Sequence, residues 1–292
     1  MPAFDNLRSV FLSMRTQWKR FIPWLAISVV VGGMALAGWA VWWEPRRLVV
    51  IEDTIDLPCW TGDPLLLAIV SDLHVGSPAV GLARVDHLVG VINAARPDAI
   101  LLLGDFVIQG VAGGRFVPPE TIARHLNALK APLGVYAVLG NHDWWLDERR
   151  VTSAFTAEGI PVIDDAVVPL KFGSNSFWLM GISDFWRGRQ NVARTLTGVA
   201  NAAPVIAMTH NPDVFPNVPA RVCLTLAGHT HGGQVALPMI GAPVVPSKFG
   251  QRYAKGHIEE DGRHLYVTTG VGTSILPVRF RVPPEVLLLR LR

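Results

Sequence analysis

The sequence predicts a layered α/β sandwich, two packed β-sheets with helices on the outside, behind an N-terminal transmembrane helix. Three observations predict it. From Leu65 to about Glu158, short apolar runs alternate with stretches of helical spacing. Beyond that point, strand-like runs crowd together with short connections. Ahead of both lies a segment without charge, Phe21 to Trp43.

That segment has 23 residues. As a helix it would extend about 35 Å, enough to cross a bilayer core of about 30 Å. Trp24 lies near one end, and Trp39, Trp42 and Trp43 crowd the other, as interfacial tryptophans do. A cleaved signal peptide is the alternative, with "ALA" at residues 35–37 as a small-residue cleavage site. The apolar run continues through Trp43, which favours a retained anchor. The mean hydropathy of +0.33 owes much to this segment.

The net charge of +3 has a simple location. Residues 1–20 hold Arg8, Arg15, Lys19 and Arg20 against Asp5, four minus one, which is +3. The rest of the chain carries 22 basic and 22 acidic residues, so the charge does not indicate a nucleic-acid surface. Four basic residues before the span outnumber Arg46 and Arg47 after it. This predicts a single-pass protein of the cytoplasmic membrane with its main domain outside, the cytoplasmic face being the alternative. Cys59 and Cys223 leave the compartment open, since they suit either a disulfide or two buried thiols.

Residues 44–64 read as a linker with a short edge strand. "LLLAIV" from Leu65 is a buried strand. Leu82, Val85, Leu88 or Val89, and Ile92 recur at helical spacing up to Pro97. "AILLLGD" is a second buried strand and "PPETIARHLNALK" a helix opened by prolines. "GVYAVLGNHD" reads as a third strand with a polar turn, followed by a helix near Asp147–Glu158. "VVPLKF", "SFWLMGI", "PVIAMTH", "RVCLTLAG", "HLYVTTG" and "EVLLLRLR" complete the strands.

Five of the apolar runs end in polar turns: Asp72-Leu73-His74, Gly104-Asp105, Gly140-Asn141-His142-Asp143, Thr209-His210-Asn211, and Gly228-His229-Thr230-His231. Ligands gather outside the carboxyl ends of strands in α/β sheets. Carboxylate, amide oxygen and imidazole together suit Mn²⁺, Fe²⁺ or Zn²⁺. In order and spacing these blocks resemble the calcineurin-like metallophosphoesterases over about residues 65–290. The "GHTHGGQ" stretch and the ending "YVTTGVGTSILPVRFRVPPEV" resemble membrane-associated bacterial phosphodiesterases of the YkuE/YaeI type.

The resemblance implies a four-layer αββα sandwich, with residues 65–292 as the catalytic domain behind a basic tail (1–20), an anchor (21–43) and a linker (44–64). It implies two divalent metal ions. Asp72, His74 and His231 would bind one, Asn141, His210 and His229 the other, and Asp105 would bridge them. A hydroxide bridging the metals would attack a phosphodiester in line. His142 would contact the phosphate or protonate the leaving oxygen, with Asp143 orienting its ring. Gly228, Gly232 and Gly233 would let the backbone turn tightly around the two ligand histidines.

Departures narrow the substrate. Protein Ser/Thr phosphatases of this superfamily carry "GDxVDRG" and "GNHE", whereas this chain has "GDFVIQG" and "GNHD", which argues against phosphoprotein. An anchor beside a phosphoesterase points to lipid or lipid-linked phosphates. Loops after Asp105 and after His231, with Trp186, Arg187 and Arg189, are candidates for a groove that takes an acyl chain and a phosphate. The alternatives are a pyrophosphatase for a nucleotide-lipid such as UDP-2,3-diacylglucosamine, whose hydrolases often have Arg where His142 stands, and an inactive membrane scaffold. The sequence leaves the oligomeric state open.

Overall fold

A computed structural model describes residues 22–188 and 190–292. The basic tail, Phe21 and Arg189 lie outside the described residues. Helix α1, Ile22–Arg46, is apolar and long enough to span a membrane, and its side chains are mostly exposed.

Two sheets form the body. The first is ordered β1-β11-β2-β3-β4, from strands Val49–Ile55, Glu285–Leu291, Leu65–Val70, Ala99–Leu102 and Val135–Ala137. The second is β5-β6-β7-β8-β10-β9, from Val167–Phe172, Asn175–Ile182, Val205–Thr209, Leu224–Ala227, Arg263–Val267 and Gly256–Glu260. The period of two along each strand explains the layering. Leu67, Ile69, Leu101, Leu287 and Leu289 face Leu179, Ile206, Met208, Leu224 and Leu226 in a core between the sheets. The alternate residues Ala68, Val70, Ile100, Leu102 and Leu288 face outward, under helices α2 (Leu82–Ala95), α3 (Pro119–Leu126) and α4 (Asn141–Ala157). On the other side, Met180, Ile182, Ala207 and Val267 lie under the short α5 (Val192–Leu196) and the 3₁₀ turn Pro212–Asn217. The result is the αββα order.

Two details differ from expectation. The "GNHD" stretch is the first turn of α4 and not a free loop, because Gly140 holds an extended N-cap from which the helix starts at once; an extended Asp147 then interrupts α4. Strand β9 had no apolar signature. It forms the sheet edge, half exposed, and turns into β10 through Asp261 and Gly262 at φ 52° and 68°, the twist a tight hairpin needs.

Strand direction sets where the site lies. The chain leaves α1 at Arg46 and enters β1 at Val49. β1 runs parallel to β11, with Val49 beside Glu285, and β2 runs opposite to β11, with Ile69 beside Leu287. The carboxyl ends of β2, β3 and β4 therefore lie at the end of the sheet where α1 joins. The junction is tied down. The Ala40 carbonyl accepts from the Arg279 backbone N–H at 2.9 Å. The buried Glu44 carboxylate accepts from Val282 N–H at 2.7 Å and from the Trp39 indole.

Candidate metal centre

All five polar turns converge. Three groups have ligand atoms within 4.8 Å of one another: Asp72, His74 and His231; His74, Asp105 and His142; and Asp105, His210 and His229. His74 Nε2 stands 3.2 Å from His231 Nε2, and His231 Nε2 stands 3.3 Å from Asp72 Oδ1. His210 Nε2 stands 3.1 Å from His229 Nδ1 and 3.2 Å from Asp105 Oδ2. Asp105 Oδ2 is also 3.5 Å from His74 Nε2. Atoms that each sit about 2.1 Å from one ion are themselves roughly 3.0–3.4 Å apart, so these spacings fit a first-row divalent metal.

Local backbone makes this convergence. Asp72, His74, Asp105, His229 and His231 all have positive φ, between 42° and 69°. Each such residue costs about 1–3 kcal/mol and persists where the surroundings over-determine it. Close approach of the loops needs glycine. A Cβ on Gly228 would meet Ser71 Oγ and Asp72 Oδ2, and one on Gly140 would meet Asp105 Oδ1. Gly232 and Gly233 carry the expected positive φ.

Ring tautomers are set from behind. His210 Nδ1 lies 2.8 Å from the Leu103 carbonyl and His74 Nδ1 lies 3.3 Å from that of Val107. A proton on each Nδ1 donates to the carbonyl, which leaves the Nε2 lone pair aimed inward. Buried Asp72 Oδ1, Asn141 Oδ1 and His229 Nε2 have no hydrogen-bond partner in the protein. Orphaned acceptors in so buried a place fit a cation, since an unpaired buried oxygen is otherwise costly.

The electrostatics agree. Burial alone would raise the Asp105 pKa, but the charges of His210 and His142 hold it well below the usual range. Burial disfavours charge on His210, yet the Asp105 carboxylate pushes its pKa up to about 10. The site's negative potential thus draws positive charge to the point where Asp105 and His210 meet. Burial lowers His74 to about 4 and His229 to about 3, so these rings offer lone pairs.

Asp143 does not orient the His142 ring. Its Oδ1 accepts from Phe106 and Val107 N–H at 3.0 and 3.2 Å, and its Oδ2 from Asp105 and Gly140 N–H at 2.8 and 3.0 Å. Both oxygens are engaged with backbone, and His142 Nδ1 has no partner. Asp143 instead holds the Asp105 turn. The His142 backbone N–H in turn donates to Asp105 Oδ1 at 2.9 Å, fixing that carboxylate.

A cavity of about 400 Å³ opens over these residues. Asp105, Asn141, His142, His229 and His231 form its floor. Gln109 and Gly110 from the loop after Asp105, Trp186, and Val244 and Pro246 from the loop after His231 form its walls. Arg187 is exposed and does not line it. Trp145, which the sequence did not single out, packs edge-on to His142 at 4.8 Å and lies nearly parallel to Trp186 at 6.2 Å. Its signal was present in "GNHDWW": one helical turn beyond Asn141, a residue faces the same way.

Arg279 was also missed. It is fully buried and donates to the carbonyls of Thr269, Gly270, Gly272 and Val282, with Nη2 3.5 Å from His231 Nδ1. Burial lowers its pKa to about 10, so it stays charged at neutral pH. It knits the loop after β10 around His231.

The calcineurin-like phosphoesterase family model matches residues 65–233. The uncharacterized metallophosphoesterase YkuE of Bacillus subtilis is 29% identical over 96% of this chain and 98% of its own length. Phosphodiesterase YaeI of Escherichia coli is 29% identical over 94% of this chain and 98% of its own. A transmembrane protein with metallophosphoesterase domain from Danio rerio is 26% identical over 83% of this chain and 56% of its own. Among solved structures, a 5'-nucleotidase precursor from Thermus thermophilus aligns over 78% of this chain and 55% of its own at TM-score 0.45 and 13% identity. With the family model matching more than half of its length, this chain belongs to the calcineurin-like phosphoesterases and is a metal-dependent phosphoesterase.

Proposed function

We propose that the chain is a membrane-anchored phosphodiesterase holding two divalent cations, Mn²⁺, Fe²⁺ or Zn²⁺. Asp72, His74 and His231 hold one, Asn141, His210 and His229 the other, and Asp105 is shared. The observation that carries this is one oxygen: Asp105 Oδ2 faces His74 Nε2 at 3.5 Å and His210 Nε2 at 3.2 Å. Cations held there supply charge that offsets the phosphoryl anion and acidify a water for in-line attack.

The chain's own residues do the rest. Asp143 and the His142 N–H hold the shared carboxylate still. The His142 ring borders the cavity and its Nδ1 lacks a competing partner, which leaves the ring free to donate to the leaving oxygen. Burial lowers its pKa and the Asp105 carboxylate opposes that, favouring the protonated form the step uses. Trp145, Trp186 and Val244 give the mouth an apolar rim.

The name of YaeI supports a phosphodiester, and the exposed apolar α1 supports a membrane setting with a lipid or envelope phosphodiester as substrate. Cys59 and Cys223 form a disulfide with Cα atoms 5.9 Å apart. Such bonds persist in oxidising compartments, which supports the domain lying outside the cytoplasmic membrane. The test is metal analysis of the full chain with turnover in Mn²⁺ of bis(4-nitrophenyl) phosphate, phospholipids, cyclic nucleotides and UDP-2,3-diacylglucosamine. About two metals per chain and diester turnover are expected. Preference for the nucleotide-lipid would replace this reading with the pyrophosphatase, and absence of both metal and turnover would leave a scaffold.

A further inference from the structure

We propose that the site end of the sandwich makes a second contact with the bilayer, in addition to α1. The hairpin Leu237–Gly241 and the loop at Ile275 and Leu276 enter the leaflet in which α1 ends, so the cavity receives its phosphodiester from lipid in that leaflet. This rests on the reading of α1 as a membrane span.

Strand direction already brings the carboxyl ends of β2, β3 and β4 to the α1 junction. The hydrogen bond from Arg279 N–H to the Ala40 carbonyl then sets the level. It places Arg279, at the end of the loop that carries Ile275 and Leu276, against Ala40 in the Trp39–Trp43 turn, the tryptophan cluster expected at a membrane interface. The hairpin joins the same surface, because Ala236 N–H donates to the Phe280 carbonyl at 2.9 Å and Val235 pairs with Phe280.

Composition and exposure match lipid better than water. No Asp, Glu, Lys or Arg occurs in residues 235–247 or 264–278. Within them Met239 is 105% exposed, Val244 73%, Ile275 71%, Ile240 61% and Leu276 57%. Clustered apolar exposure of this kind marks an interaction surface. Met239 and Ile275 also hold positive φ, 64° and 61°, a strained backbone that gains no packing within the chain. Val244 and Ile275 line the cavity itself, so the patch is continuous with the mouth.

The test uses the full chain, disulfide oxidised, in vesicles of phosphatidylcholine and phosphatidylglycerol. An environment-sensitive fluorophore is attached at Met239→Cys, and in a separate sample at Ser174→Cys. Ser174 precedes β6, which runs parallel to β7 and β8, so it lies at the end away from the site. The probe at 239 is expected to shift to the blue and be quenched by doxyl lipid, while the probe at 174 stays water-like. The pair Met239→Glu and Ile240→Glu is expected to lower turnover of a vesicle-borne phosphodiester on the order of tenfold. Turnover of bis(4-nitrophenyl) phosphate should be unchanged, since neither residue lines the cavity. A water-like probe at 239 on a chain that resists carbonate extraction overturns the second contact alone. A chain released by carbonate overturns the anchor, and this inference with it. Blue shift that follows protein density without lipid quenching makes the patch a contact between copies and also overturns it, as does equal loss on both substrates.

Discussion

At the end where β2, β3, β7 and β8 finish, five polar residues sit at positive φ, buried oxygens lack partners, and a guanidinium is enclosed among carbonyls. At the opposite end the chain turns conventionally. Gly173 supplies the positive φ of the β5–β6 hairpin, the Asp63 carboxylate accepts from Ser174 N–H, and Asp98 accepts from Leu66 N–H at 2.8 Å. Both ends close the same two sheets over the same core. Turn requirements explain the far end residue by residue, but the near end makes sense only if something cationic is held there. The strain is tolerated because three apolar cores around the sheets, with buried side chains worth about 1.5–3 kcal/mol each, offset it.

The sharpest way to break this contrast is Asp105→Asn. If one carboxylate serves two cations, the variant loses affinity at both, and turnover should fall by on the order of 10³-fold or more, because activation of water depends on the metals. Metal content measured by mass spectrometry should drop well below about two per chain. Unchanged content would show that the two clusters do not share Asp105. His142→Ala comes next. It should retain metal and lose about 10²–10⁴-fold in turnover of alkyl diesters, with a smaller loss for nitrophenyl esters that need no proton. Equal losses would make His142 a phosphate-positioning residue.

Arg279→Met probes the same end through stability. It leaves the Thr269 and Gly272 carbonyls without the donor that now satisfies them, at about 1–3 kcal/mol each, while the Gly270 carbonyl keeps the Glu285 N–H. A lower urea midpoint should be accompanied by weaker metal retention, since the loop that Arg279 gathers packs behind His231. A midpoint shift without any metal effect would separate the clamp from the site. The disulfide ties the far end, joining Cys59 after β1 to Cys223 just before β8. Replacing both Cys59 and Cys223 by Ser should cost about 2–5 kcal/mol and spare metal content. Chain purified without reductant should show no reactive thiol; full reactivity would move the domain to the cytoplasmic face.

The candidate ligands were legible because each follows an apolar run, where a polar residue has no packing reason to be. Asp143 was only half legible. Its identity showed in "GNHD", but its task depends on four N–H groups, three of them from Asp105, Phe106 and Val107 in another turn. Arg279 was not legible at all, since "ILPVRFRVPP" holds two arginines, Arg279 and Arg281, and no periodicity reveals that the first turns inward. The layering was legible in wholly apolar runs such as Leu65–Val70, which must be buried on both faces, with helical spacing between the early ones. The placement of the site beside α1 did not, because it comes from pairing Val49–Ile55 with Glu285–Leu291, a contact too distant in sequence for local pattern to express.

The smallest effect should come from the far end, and it tests whether that end is as ordinary as it looks. Asp63→Ala removes the carboxylate that accepts from Ser174 N–H at 3.2 Å and from Ser174 Oγ at 3.3 Å. Both bonds are exposed, so water takes over the donors, and the loss should be about 0.5–1.5 kcal/mol. The Asp63 carbonyl, which accepts from the Trp60 indole at 3.0 Å and the Asn175 amide at 3.1 Å, remains in place and keeps the turn seated. Metal content and turnover should match the parent chain. A tenfold loss of turnover from this substitution would mean that the two ends are coupled through the sheets, and the separation of structural and chemical ends would fail.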